Sequence, residues 1–225
     1  MRISNYMSNG ISIVKGILWV LVWFGFMIFY TVLDILIWRK IAPEQSRFLN
    51  LITVAICMAI FLNLLVTKTN FKLRLFSNIS FLGIVLALGC SVLFYFLLDK
   101  GLDLLFEDLF PSSKENYQQI IRLIQISPIV SFFDFCILAP ILEEVLMRGF
   151  LLDGLSINYG KIVALLISAA FFSILHFNIA QIVSSFICGI ILGLLYFYTD
   201  SIFSCILAHM GYNAISYMMI ILSKL

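Results

Sequence analysis

The chain has 225 residues, 63% of them hydrophobic and 12% charged, with a formal net charge of +2 and a mean hydropathy of +1.11. Soluble domains are about 45–50% apolar and about 25% charged, so no soluble core could hide this much apolar surface. The small net charge, with no long basic run, excludes a nucleic-acid or acidic partner, and what remains is a membrane protein whose backbone polar groups are satisfied inside spanning helices.

About 20 apolar residues cross a bilayer as a helix. By that measure the chain has about seven spans, within a range of six to eight. The first, Ile11–Trp38, is too long and too aromatic for a signal-peptide core and lacks a small-residue cleavage site, so it stays attached. Phe48–Val66 and Ile79–Leu98 follow, and then an acidic loop from Asp99 to Glu115. Ser112 stands three residues before Glu115, a capping-box pattern that opens an amphipathic, interfacial helix over 111–127 carrying Arg122. The remaining spans are Ile129–Leu152, Ile162–Phe177, Gln181–Tyr198 and Ile202–Leu222. The expected fold is therefore an all-α, polytopic transmembrane helix bundle. It reads as one integral-membrane domain, 1–225, with N-terminal spans in 1–110 and a core in 128–225.

Basic residues are split between loops: Lys68, Lys72, Arg74 and Lys161 favour a cytoplasmic N-terminus, whereas Arg39, Lys40 and Arg47 oppose it. The five cysteines, Cys57, Cys90, Cys136, Cys188 and Cys205, are scattered singly through apolar runs and read as small buried hydrophobes.

Ionisable groups inside spans are costly, about 2.5–3.5 kcal/mol at a helix centre on insertion scales, and mark roles or partners. The set here comprises Asp34, Asp134, Glu143, Glu144, Arg148 and the only two histidines, His176 and His209. Glu144 and Arg148 are i,i+4 neighbours able to pair across one turn, either as a plain ion pair or as a support for Glu143. Glu143 points about 100° away and has no partner on its own helix, which makes it a candidate base. Pro140 fits the first position of a helix, so a break after Ala139 would put both glutamates near the positive end of a macrodipole. Phe172 with His176, and His209 with Asn213, are two further i,i+4 pairs. In an up-and-down bundle, Glu143, His176 and His209 come out about 15, 22 and 12 Å from one membrane face. A carboxylate, two imidazoles and an amide at matched depth suit water activation and oxyanion stabilisation, in an active site inside the membrane among the last four spans. Gly189 and Gly193 form a small-xxx-small face for close helix approach. Asp134 has no assigned role.

At these residues the sequence resembles the CPBP group of intramembrane proteases, also called the CAAX protease and bacteriocin-processing or Abi family. Three motifs carry the resemblance in order: EExxxR at Glu143–Arg148, FxxxH at Phe172–His176 and HxxxN at His209–Asn213. The resemblance implies that Glu143 and His176 activate the attacking water. By the same resemblance His209 and Asn213 stabilise the oxyanion, while Glu144, Arg148 and Phe172 support the site. It leaves the cofactor open: none is required, or a divalent metal such as zinc sits on Glu143, His176 and His209. Expected partners are the lipid bilayer and a peptide or membrane-protein substrate, with roles such as bacteriocin immunity or peptide maturation. The compact length suggests a multi-pass protein of a bacterial plasma membrane. A catalytically idle scaffold of the same fold, binding a sensor or transporter partner, is the alternative. A proton-relaying transporter fits less well, because no repeated half with broken helices is visible.

Overall fold

The computed structural model describes residues 9–176 and 179–223, and the side chains of 107–108, 111–114, 116–117 and 179–180 lie outside the described residues. Within them the chain is helical, with no strand. The helices are α1 (Ile13–Ile41), α2 (Ser46–Lys68), α3 (81–109), α4 (Pro111–Ile126), α5 (128–159), α6 (Lys161–Ile174), α7 (Ile179–Thr199) and α8 (Ile202–Leu222). The protein is a polytopic helical membrane protein.

Five helices among the described residues are long and apolar enough to cross a membrane: α1, α2, α7, α8 and the Phe81–Phe106 part of α3. Two of the seven expected spans fall short, for different reasons. The segment expected at Ile129–Leu152 lies within α5, which is long enough but carries Asp134, Glu143, Glu144, Arg148 and Asp153. The segment expected at Ile162–Phe177 is α6, whose 14 residues extend about 21 Å against a hydrocarbon core of about 30 Å. The charged helix and the short one are the two that carry the first two motifs.

Three local expectations are corrected. Asp99 does not open a loop, because α3 continues as helix to Leu109. The helix after it begins at Pro111, with Phe110 in the capping position, so Ser112 already lies inside the first turn; its side chain is outside the described residues. Nor does the chain break after Ala139. The turns just before Pro140, Phe133–Leu138, widen into π-helix, which accommodates a ring that would otherwise clash with the carbonyl one turn back. Helix α5 then runs on through both glutamates, so they have no free helix N-terminus and no macrodipole benefit. A second π-helical stretch, Val145–Leu152, carries Arg148.

Aromatic rings join the N-terminal helices to the core: Trp19 of α1 meets Phe61 of α2 and Phe150 of α5 edge-on, at 5.9 and 6.2 Å between ring centroids. Helices α5 and α6 form a tight hairpin whose corner, Gly160, has φ +79° and ψ 165°, a conformation open essentially only to glycine. Ser168 of α6 donates to the Met147 carbonyl of α5 at 2.8 Å and keeps the pair close. Gly189 and Gly193 of α7 face α6, where an added Cβ would stand 3.0 Å from Ala169 and 2.3 Å from Leu165. Helices α3 and α8 run parallel in close contact. Gly83 faces Ser204, Ser91 donates to the Ala208 carbonyl at 2.9 Å, and Asp99 bonds Tyr212 and Ser216. Of the cysteines, Cys57, Cys136, Cys188 and Cys205 are buried and free, and Cys90 is half-buried and free.

Candidate active site

The two neighbouring glutamates of α5 have different surroundings. Glu144 is fully buried, whereas the Glu143 side chain keeps 24% exposure and lines a cavity of about 480 Å³. That split follows from their 100° separation around the helix: one faces into the packed bundle and the other into open space.

Glu144 Oε1 accepts from Arg148 Nη1 at 3.0 Å, so the i,i+4 spacing does produce an ion pair. The same oxygen lies 2.9 Å from His209 Nδ1 of α8. Arg148, itself fully buried, also donates through Nη2 to the Gly189 carbonyl at 3.3 Å and lays its guanidinium 4.7 Å from the centroid of the Phe172 ring. One buried guanidinium thus ties α5 to α6 and α7, and one buried carboxylate ties α5 to α8. Arginine suits this place because its planar fork serves several partners at once and stacks on an aromatic face.

Phe172 is the shared support for the histidines. Its ring meets the imidazoles of His176 and His209 edge-on, with centroids 5.1 and 5.6 Å away. His176 sits in the turn just after α6, and its Nδ1 is 2.9 Å from the Phe172 carbonyl. A carbonyl can only accept, so Nδ1 carries the proton and Nε2 keeps its lone pair. His209 likewise turns its Nδ1–H to the Glu144 carboxylate, and its Nε2 lies 3.9 Å from Glu143 Oε2. Asn213 donates from Nδ2 to the Phe135 carbonyl at 2.8 Å, which fixes its amide orientation and leaves one N–H for another acceptor.

Glu143, His176, His209 and Asn213, from three separate stretches of chain, all line the one cavity, and Phe172 lines it with them. Asp134 does not line it; that carboxylate is in electrostatic range of Arg47, whose Nη2 donates to Ser131 at 3.0 Å on the side facing α2. Among the described residues no three His, Cys, Asp or Glu side chains are grouped to hold a metal ion. Glu143, His176 and His209 in this arrangement therefore do not form a three-ligand set.

Sequence reasoning missed the opposite wall of the cavity. Asp99 and Asp103 of α3 project there; Asp99 accepts from Tyr212 and Ser216 of α8, and Asp103 from Ser184 of α7. The signal was present in the i,i+4 spacing of the two aspartates directly after an apolar run, which fits a helix carried one turn further.

Residues 125–215 match the family model described as type II CAAX prenyl endopeptidase Rce1-like. This segment resembles the Rce1-like family. It contains all three motifs and every residue from Glu143 to Asn213 discussed above, while α1 to α3 lie outside it. No curated protein and no solved structure matches the chain. The cavity is thus lined partly by this segment and partly by residues outside it, from α3, from Ile120 and Ile124 of α4 and from the C-terminal end of α8.

Proposed function

We propose that the protein is an intramembrane endopeptidase that hydrolyses a peptide bond in a peptide or membrane-associated protein reaching the cavity, in the plasma membrane of a bacterial cell. The observation that carries this reading is the convergence of Glu143, His176, His209 and Asn213 on one cavity, inside a segment of a CAAX endopeptidase family.

In the proposed reaction Glu143 takes a proton from water while the free Nε2 of His176 accepts a hydrogen bond from the O–H that remains, which aims the water oxygen's lone pair at the scissile carbonyl carbon. Attack forms the C–O bond and moves the carbonyl π pair onto oxygen. That oxyanion is met by the spare N–H of Asn213 and by Nε2–H of a protonated His209. Collapse of the intermediate breaks the C–N bond, and the proton held by Glu143 passes to the leaving amine. Arg148 and Glu144 act by holding His209; they do not touch substrate.

The test compares purified wild type with Glu143→Ala and His176→Ala in lipid nanodiscs, on a quenched fluorescent, prenylated peptide ending in a CAAX sequence. Both variants are expected to lose hydrolysis while keeping the wild-type melting temperature. Full hydrolysis by folded Glu143→Ala and His176→Ala overturns the reading and assigns the cavity to a binding scaffold.

A further inference from the structure

We propose that Asp99 of α3, outside the Rce1-like segment, is a positioning residue that sets the rotation of α8 and thereby the aim of His209 and Asn213. The use made of that aim rests on the endopeptidase reading; the aim itself does not.

Asp99 Oδ1 accepts from Tyr212 Oη at 2.6 Å, and Oδ2 accepts from the Ser216 hydroxyl. Tyr212 and Ser216 are one turn apart on α8, so one carboxylate grips two successive turns of the same face. Tyr212 lies three residues after His209 and immediately before Asn213, and Ser216 lies three residues after Asn213. The grip therefore brackets Asn213 and begins one turn after His209. The Tyr212 ring is further held edge-on against Phe94 at 5.7 Å.

About two turns earlier on α3 the same two helices nearly touch: a Cβ on Gly211 would stand 2.4 Å from Ser91 Oγ, and Ser91 bonds the Ala208 carbonyl. That close approach fixes the distance between α3 and α8, and the contacts of His209 with Glu144 and of Asn213 with the Phe135 carbonyl hold α8 from the α5 side. Asp99 holds its rotation from the α3 side, because each residue is worth about 100° on a helix and two gripped hydroxyls define one face. Hydrogen bonds from hydroxyls to a carboxyl group are directional and gain strength away from water. An apolar residue at 99 would fill the same space without selecting a rotation.

The chain has only two histidines, so protein labelled with 15N-histidine reports the site directly. His176→Asn identifies which imidazole signal is His209. In wild type, His209 is expected to show an Nδ1–H bonded to carboxylate. Asp99→Ala should shift or broaden that signal and lower kcat on the prenylated peptide by about 10²-fold, the scale of a 1 Å misplacement, with KM unchanged. Asp99→Asn, which keeps an acceptor, should recover part of both. Tyr212→Phe, which keeps the ring and removes one bond, should move the signal in the same direction and carries the test where Asp99→Ala does not fold. A His209 signal identical to wild type in folded Asp99→Ala or in Tyr212→Phe overturns the proposal, as does a defect confined to KM. If wild type leaves the peptide uncut, the endopeptidase reading fails while the histidine spectra still decide the role of Asp99.

Discussion

His209 Nδ1 and Glu144 Oε1 are 2.9 Å apart, although 65 residues separate them in the chain. This contact gives the second glutamate of the EExxxR motif a structural task distinct from that of the first. Glu144 orients an imidazole across the bundle, and Glu143 faces the cavity.

Replacing Glu144 by Gln removes the charge and keeps the shape. The His209 Nδ1–H then loses its anionic acceptor, and an imidazolium at 209 loses its nearest counter-charge. Hydrolysis of the prenylated peptide should fall by about 10²-fold or more, comparable to loss of one oxyanion-hole donor. Steady-state kinetics at equal protein concentration measure it; a rate equal to wild type would mean that His209 needs no carboxylate.

Arg148 should matter for stability before it matters for rate. Truncating one partner of a buried ion pair costs about 3–5 kcal/mol, because the other charge stays buried and uncompensated. Arg148→Ala should therefore lower the melting temperature in detergent sharply. Arg148→Lys should recover little of it, since a single ammonium cannot serve Glu144, the Gly189 carbonyl and the Phe172 face together. A Lys variant as stable as wild type would remove the reason given for arginine.

The two glycines of α7 should respond differently to a methyl group. At Gly189 the added Cβ meets Ala169 Cα at 3.0 Å, and backbone cannot swing aside. At Gly193 it meets the Cδ1 end of Leu165 at 2.3 Å, a side chain with rotamers to spare. Gly189→Ala is expected to cost about 1–3 kcal/mol as overpacking, and Gly193→Ala less. Thermal unfolding of the two variants side by side reads the order, and the reverse order would contradict the packing described for α6 and α7.

The site was legible in sequence where its contacts are local. Glu144 with Arg148, Phe172 with His176 and His209 with Asn213 are one turn apart, so helical spacing alone brings each pair to one face. What spacing could not supply is the pairing between elements. His209 meeting Glu144, Asn213 meeting the Phe135 carbonyl and Asp99 meeting Tyr212 are all set by how α3, α5 and α8 pack. The membrane architecture was legible from hydropathy, but the hydropathy of α5 and α6 overstated their likeness to ordinary spans. One carries five charged side chains and the other is 14 residues long. Pro140 was the misleading residue: proline commonly starts helices, yet here widened turns before it let α5 continue.

In the proposed reaction Glu143 is the base on which every later step depends. The most direct measurement is the rate of peptide-bond hydrolysis by Glu143→Gln in nanodiscs, with the His209 Nδ1–H signal recorded on the same sample. General-base catalysis contributes about 10²–10⁴-fold, so the rate should fall by that factor while the His209 signal stays in place. Hydrolysis at the wild-type rate by folded Glu143→Gln would contradict the account.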